Sequence, residues 1–540
     1  MTRVYDYIVV GAGTAGCVLA NRLSRDPSKH VLLLEAGPED SNVWLKIPAG
    51  VPRVINDPQL SWGYTSDAEP GLDGRRIIWP RGRVLGGSSS INGHVYMRGV
   101  PADYDGWEKE GNPGWGWSDV LPYFKRGERH FLGASALHGG DGELAVSPLA
   151  HPHPASAAFV ASAMVNGVPF NEDFNGARQE GVGYLQFMID RGRRASASAA
   201  FLTPIRKRPN LKVETEAKVH RVVFEQRCAT GVLYRRGDQV RSMTGHEIIL
   251  CGGTINSPQL LMLSGIGPAS ELLQHGITPT VVSQGVGRNL QDHVYAHHLE
   301  RVVANFSINE IISSKWRMAP HLLRYLATRK GLLTAAAAQV GLFTRSWPEL
   351  GQPDLQIQMR PFSMISSSGM YTSESSPAIT ASCTLLRPHS RGAVSLRSAD
   401  PDQAPSMLAN YLVDDRDVPP MVAGLKIIRR IFQTEPLASA SRGELMPGEF
   451  CRSDEELEQY LRANAQAMYH PVGSCRMGSD SRAVVDPRLR VRGIEHLRVV
   501  DASIMPTIPS GNTNAPTMMI AEKGADMILE DVKSLSKRPL

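Results

Sequence analysis

The chain has 540 residues, enough for two or more hydrophobic cores, with 42% hydrophobic and 21% charged residues and a net charge of +5. Such fractions are those of a soluble globular protein, and charges of both signs dispersed along the chain exclude a nucleic-acid-binding stripe. Six scattered cysteines without C-x-x-C spacing argue against a disulfide framework or a zinc site, and the lack of any run of about 18 apolar residues argues against a transmembrane helix.

Tyr5 to Val10 reads as a buried strand, and its start at residue 5 leaves no room for a targeting peptide, so a cytoplasmic location is expected. The strand runs into Gly11-Ala12-Gly13-Thr14-Ala15-Gly16, which fits G-x-G-x-x-G. Ala15, Leu19 and Leu23 then recur at helical spacing until Asp26-Pro27. A second apolar run, Val31 to Leu34, ends in Glu35, 24 residues after the first glycine. Gly11 allows a tight turn, Gly13 lets backbone N–H groups approach a pyrophosphate, and Gly16 permits close helix–strand packing. Glu35 can accept both ribose hydroxyls of an adenosine. The pattern predicts dinucleotide binding without choosing between NAD and FAD.

Further along, Trp79 to Gly93 is dense in Gly and Ser between apolar flanks, the composition of a loop held against a ligand. A short helix is expected near Val120 to Phe124, strands over 211–224 and His246 to Leu250, and a helix from Asn256 to Leu263. Residues 303–345 look helical, with an Ala run over 335–338, and 378–412 look like strands. Helices are expected from Arg416 to Phe432 and Pro516 to Val532, with a strand from His496 to Val500 between them. Dinucleotide-type strands at both ends and in the middle imply one domain built from separated segments, with a second domain inserted. His151, His153 and the pair His297-His298 offer no third ligand, so no metal is expected.

These stretches together resemble the glucose–methanol–choline (GMC) oxidoreductases, FAD-dependent alcohol-oxidising enzymes. The resemblance rests on the fingerprint, Gly82-Arg83-Val84-Leu85-Gly86-Gly87-Ser88-Ser89-Ser90-Ile91-Asn92, the run Gly253 to Gly267, and Gly287-Arg288-Asn289-Leu290-Gln291-Asp292-His293. It ends in a block from Tyr469-His470-Pro471 through Asp501-Ala502 to Asn514-Ala515-Pro516. The choline dehydrogenase branch and bacterial alcohol oxidases look nearest. The resemblance implies an α/β architecture: a Rossmann-like FAD-binding domain (1–157, 199–302 and 468–540) with an inserted α+β substrate-binding domain (158–198 and 303–467).

It also implies roles. His470 would be the base for the alcohol proton, and Asn514, 44 residues later, the second catalytic residue, with Asn512 a weaker candidate. Asn514 and Pro516 also suit a helix start. Around the flavin, Gly11, Gly13, Thr14, Ala15 and Gly16, Glu35 and Ala36, and Arg83, Gly86, Gly87 and Ser88 are expected. Asn92 and Gly93 would lie near the isoalloxazine, Val219 at the adenine, Asp501 and Ala502 on the ribityl-pyrophosphate side, and Asn512, Thr513 and Pro516 at the closing helix. Ile91 stands where some members attach FAD through a His, so non-covalent FAD is expected. Gln339 appears where choline-oxidising members hold the trimethylammonium head with a Glu, and loses most of that attraction. Met468 and Tyr469 are expected on the substrate side, Met468 as a gate for oxygen. The expected reaction is oxidation of a primary aryl, furanic, aliphatic or ether alcohol to its aldehyde, with O2 or another acceptor. Choline dehydrogenation and a non-redox lyase of the same fold are the alternatives, and the oligomeric state is not legible.

Overall fold

The computed structural model describes residues 4–335, 338–367, 370–373 and 376–535. Tyr5–Val10 and Val31–Leu34 form adjacent parallel strands, each almost wholly buried, as expected of strands covered on both faces. Leu211–Glu214 extends this sheet beside Val31–Leu34, and Gln239–Leu250 lies on the other flank of Tyr5–Val10. Leu497–Val499 then pairs in parallel with Ile248–Leu250. Ala217–Glu225 and Cys228–Arg236 add an antiparallel meander to Gln239–Leu250. The sheet therefore collects strands from the start, middle and end of the chain.

Two helices bind those ends together. Thr14–Leu23 follows the glycine loop, and Asn514–Leu535 packs along it. Arg22 on the first helix is ion-paired with Glu522 on the second and with Glu143, all but Glu143 fully enclosed. Breaking such a buried pair from one side leaves an uncompensated charge, costing about 3–5 kcal/mol.

A second sheet is wholly antiparallel, in the order Ser441–Met446, Val294–Val302, Ala378–Leu385, Leu355–Arg360, Val340–Thr344, Gly181–Tyr184. One of its faces carries Leu355, Ile357 and Met359 into a core shared with the helices Pro154–Val165 and Val418–Phe432. The expected domain limits need moving at two points. Val294–Val302, expected with the dinucleotide half, belongs to this second sheet, and the limit at 157 cuts through the helix Pro154–Val165, whose Ala155, Phe159 and Val160 pack into the second core.

The region 303–345 is helical only in part. Asn309–Ile312 and Lys315–Thr328 are helices, but Arg329 in the left-handed region ends the second, and Val340–Thr344, rich in β-branched and large apolar residues, is a strand. Ala336 and Ala337 of the alanine run lie outside the described residues, as does the C-terminal Arg538-Pro539-Leu540. Among the described residues no helix is long and apolar enough to cross a membrane.

Candidate active site

The fingerprint glycines are required by contact. A Cβ on Gly16 would lie 1.8 Å from Gly11 O, and one on Gly11, whose φ is +100°, 2.5 Å from Cys251 O. Gly13 differs, because a Cβ there would project into open space. That space is a cavity of about 420 Å³ between the two sheets, lined by Gly11, Gly13, Thr14, Ala15, Glu35 and Ala36 at one end. Gly13 caps the helix Thr14–Leu23 without any side-chain hydrogen bond, so first-turn N–H groups remain for an anion.

The serine–glycine loop lies on top of this turn. Gly86 N donates to Ala12 O at 2.8 Å, and a Cβ on Gly87 would approach Gly13 Cα to 2.7 Å. Gly87, Ser88, Ile91, Asn92, Gly93 and Val219 line the cavity. Gly16, Gly86, Arg83 and Pro516 do not: Gly16 and Gly86 shape the loop, Pro516 is buried in the closing helix, and Arg83 reaches Pro58 O and the Trp62 ring. Asp501 and Ala502 line it too, but both Asp501 oxygens are engaged, accepting from Gly253 N and Ser257 Oγ on one side and Ser503 on the other. Glu35 accepts from Ala12 N and Gly37 N, and burial raises its pKa to about 7. An open glycine cradle at a helix N-terminus, with a carboxyl at the neighbouring strand end, fits FAD.

At the other end stands His470, and a chain of hydrogen bonds fixes its tautomer. Leu386 O can only accept, so His293 Nε2, 3.1 Å away, carries the hydrogen. His293 Nδ1 is then a lone pair and must accept from His470 Nδ1–H at 3.0 Å. His470 Nε2 is left as the lone pair, accepting from the Asn512 amide at 2.9 Å. Burial first, then His293 and Arg81, hold the His470 pKa well below 6.5, so its neutral, basic form prevails at neutral pH. Asp292 Oδ1 accepts from His470 N and Oδ2 from Tyr411 OH, and Tyr469 before it is held in the left-handed region at φ 63° with its carbonyl accepting from Arg81.

The amide beside His470 thus belongs to Asn512, not Asn514. Asn514 accepts from Thr14 Oγ1 at 2.7 Å, beside the glycine loop, and points its Nδ2 at Met188 Sδ. Thr513, Met468 and Tyr469 line the cavity, whereas Gln339 does not. Its Oε1 accepts from His153 N and Ser156 Oγ at the start of the helix Pro154–Val165. The groups facing the cavity from the second sheet are Tyr295, His297, Gln358, Arg360 and Thr380. Sequence reasoning missed these, and missed His293 although it closes the Gly287–His293 run. Elsewhere Glu128, His130 and His138 cluster closely enough for a metal, but Glu128 is taken by Arg98 and His138, and His138 by Asp173.

A dinucleotide cradle and a neutral, oriented histidine at opposite ends of one cavity suit an oxidoreductase whose substrate gives up a proton. The chain belongs to the GMC oxidoreductase family, whose N-terminal model matches residues 5–295 and whose C-terminal model matches 388–521. It is 45% identical to an alcohol dehydrogenase [acceptor] of Pseudomonas putida over 99% of this chain and 97% of that one. It is 43% identical to the mitochondrial choline dehydrogenase of Homo sapiens, over 97% and 89%. Among solved structures it is similar to pyridoxine 4-oxidase from Mesorbium loti, with a TM-score of 0.89, 31% identity and coverage of 97% and 99%. Formate oxidase superposes with a TM-score of 0.92 at 28% identity, over 99% and 100%. The chain is accordingly an FAD-dependent alcohol oxidoreductase at the level of its family.

Proposed function

We propose that this enzyme oxidises a primary alcohol to the aldehyde, with FAD held non-covalently and His470 Nε2 taking the hydroxyl proton. The lone pair fixed on His470 Nε2 by Leu386 and His293 is the observation that carries this reading. Bound FAD supplies the acceptor for the hydride. The protein supplies the rest. His470 Nε2 takes the proton while its Nδ1–H stays bonded to His293, which shares the charge that develops. When the alcohol binds, the Asn512 amide turns from His470 Nε2, whose one lone pair it otherwise occupies, to the alcohol oxygen, which frees the base and steadies the oxygen as it becomes alkoxide-like. Asp292 and the strained Tyr469 hold the His470 backbone against rotation. Ile91, buried and on the cavity wall, has no nucleophile to attach a flavin. All six cysteines are unpaired, which supports a reducing, cytoplasmic setting.

Choline is disfavoured as substrate, for a reason other than Gln339: the charged side chain facing the cavity from the second sheet is the cation Arg360. The test is anaerobic mixing of the FAD-loaded enzyme with a panel of alcohols, following the flavin's absorbance. Bleaching by primary alcohols supports oxidation. A ring that stays oxidised with every alcohol would leave a lyase as the reading.

A further inference from the structure

The second sheet presents an unusual face to the cavity. On Leu355–Arg360 the residues alternate, so Leu355, Ile357 and Met359 enter the apolar core while Gln356, Gln358 and Arg360 share the opposite side. The neighbouring strand sets Thr384 opposite Gln356, Ser382 opposite Gln358 and Thr380 opposite Arg360. Beyond it, Tyr295 and His297 continue the row. A buried face this polar should be hydrogen-bonded throughout. It is not: among the described residues both amide atoms of Gln356, Gln358 Nε2, Thr384 Oγ1 and Arg360 Nε are buried without a partner, and of these residues Gln358 and Arg360 line the cavity.

Arg360 is the charged member of this row. It is half-buried, lines the same cavity as His470, and makes no ion pair or hydrogen bond among the described residues. His297 beside it is pushed down to about 3, by burial and then by the Arg360 charge, so it stays neutral. A half-buried guanidinium facing the cavity without a counter-charge can take an anionic partner, and its planar fork matches an oxyacid in two parallel hydrogen bonds.

We infer that the alcohol oxidised here carries an anionic oxyacid group, a carboxylate or a phosphate, which the Arg360 guanidinium pairs. The hydroxyl end then lies toward His470 and Asn512. The cationic head of choline is repelled by the same guanidinium. This inference rests on the alcohol-oxidation reading and narrows its substrate class.

The test uses the purified, FAD-loaded enzyme and anaerobic reduction by matched alcohols: hydroxymethylbenzoate and straight-chain ω-hydroxycarboxylates, their methyl esters, hydroxyalkyl phosphates of the same length, and choline. The acids or the phosphates should exceed the esters in kcat/KM by roughly 10–100-fold, mostly through KM, the scale of one charge-assisted hydrogen-bonded pair. Whichever of the two anions is preferred identifies the oxyacid. Arg360→Gln should collapse the acid-to-ester ratio toward one, and Arg360→Lys should retain part of it, FAD content reporting that each variant is folded. Esters that match the acids and phosphates in the wild-type enzyme would overturn the inference, as would an Arg360→Gln variant with an undiminished ratio. If no alcohol of any charge bleaches the flavin, it is the alcohol-oxidation reading that fails.

Discussion

His293 and His470 meet through their Nδ1 atoms, 3.0 Å apart, and only one of the two nitrogens can carry the hydrogen. Because Leu386 O requires His293 Nε2–H, that hydrogen sits on His470. The base is therefore oriented by a second imidazole rather than by a carboxylate.

His470→Ala should fold and retain FAD, since the cofactor-side residues Gly13, Glu35 and Asn514 are elsewhere. Its reduction by a good alcohol should slow by roughly 10²–10⁴, the contribution of a positioned base. Asn512→Ala should slow the same step by roughly 10–100-fold, and Asn514→Ala by less, because only Asn512 touches the imidazole. Stopped-flow reduction of the three variants checks the order. Equal losses in both asparagine variants would contradict the geometry.

The pH profile follows from the neutral base. A proton on His470 Nε2 removes the lone pair, and burial keeps that protonation well below pH 6.5. The reduction rate should be flat through neutrality and fall only as the solution becomes distinctly acidic. His293→Phe removes the acceptor for His470 Nδ1–H, frees the wrong tautomer, and should lower the rate across the whole profile. The buried Asp292 carboxyl that holds the His470 backbone is itself raised to about 7, so only a limb near pH 7 that persists in Asp292→Asn would show that the imidazole is not held neutral.

FAD affinity should depend on Glu35. In the flavin-free chain its carboxyl titrates at about 7, raised by burial, whereas accepting two ribose hydroxyls favours the ionised form. Binding below that value must expel a proton, so affinity should tighten as pH rises toward 7 and level off above it. Glu35→Gln should weaken binding by roughly 10–100-fold and abolish this dependence. Flavin fluorescence titration at several pH values measures both.

Acid precipitation should release yellow FAD to the supernatant, because the residue on the cavity wall at position 91 is isoleucine. Flavin remaining with the pellet would reveal a covalent bond to another side chain.

Gln339→Ala should act on stability rather than on selectivity. It leaves His153 N and Ser156 Oγ without their shared acceptor, at a cost of about 1–3 kcal/mol, read as a lower Tm. The ratio of choline to neutral-alcohol turnover should not move.

The nucleotide end was legible because its constraints are local: Gly11, Gly13 and Gly16 act within one turn, and Glu35 ends the next strand. The family motifs likewise led to His470. Counting 44 residues onward selected Asn514, but Gly511, at φ +152° and packed on Met97, turns the chain so that Asn512 faces the histidine before the helix begins. Gln339 misled because it precedes the first residue of Val340–Thr344, so strand alternation does not set its direction and the helix at Pro154 claims it. Arg360 lies in a strand whose period is short and whose polar face is covered, a pattern that carries no surface signal. The His293–His470 pair joins residues 177 apart in sequence, which no spacing announces.

The contacts between chain ends also set a timetable for biogenesis. Thr14 waits for Asn514, a separation of 500 residues, and Arg22 waits for Glu522. At roughly 5–20 residues per second, the glycine loop leaves the ribosome about 25–100 s before the segment that closes it. The strands of the second sheet all lie between Gly181 and Ala467, so that sheet can assemble during the delay. The second sheet can thus be complete on the nascent chain before the segment that closes the cofactor cleft has been made. FAD finds a finished berth only when the last helix docks, and a chain truncated before Asn512 should emerge colourless.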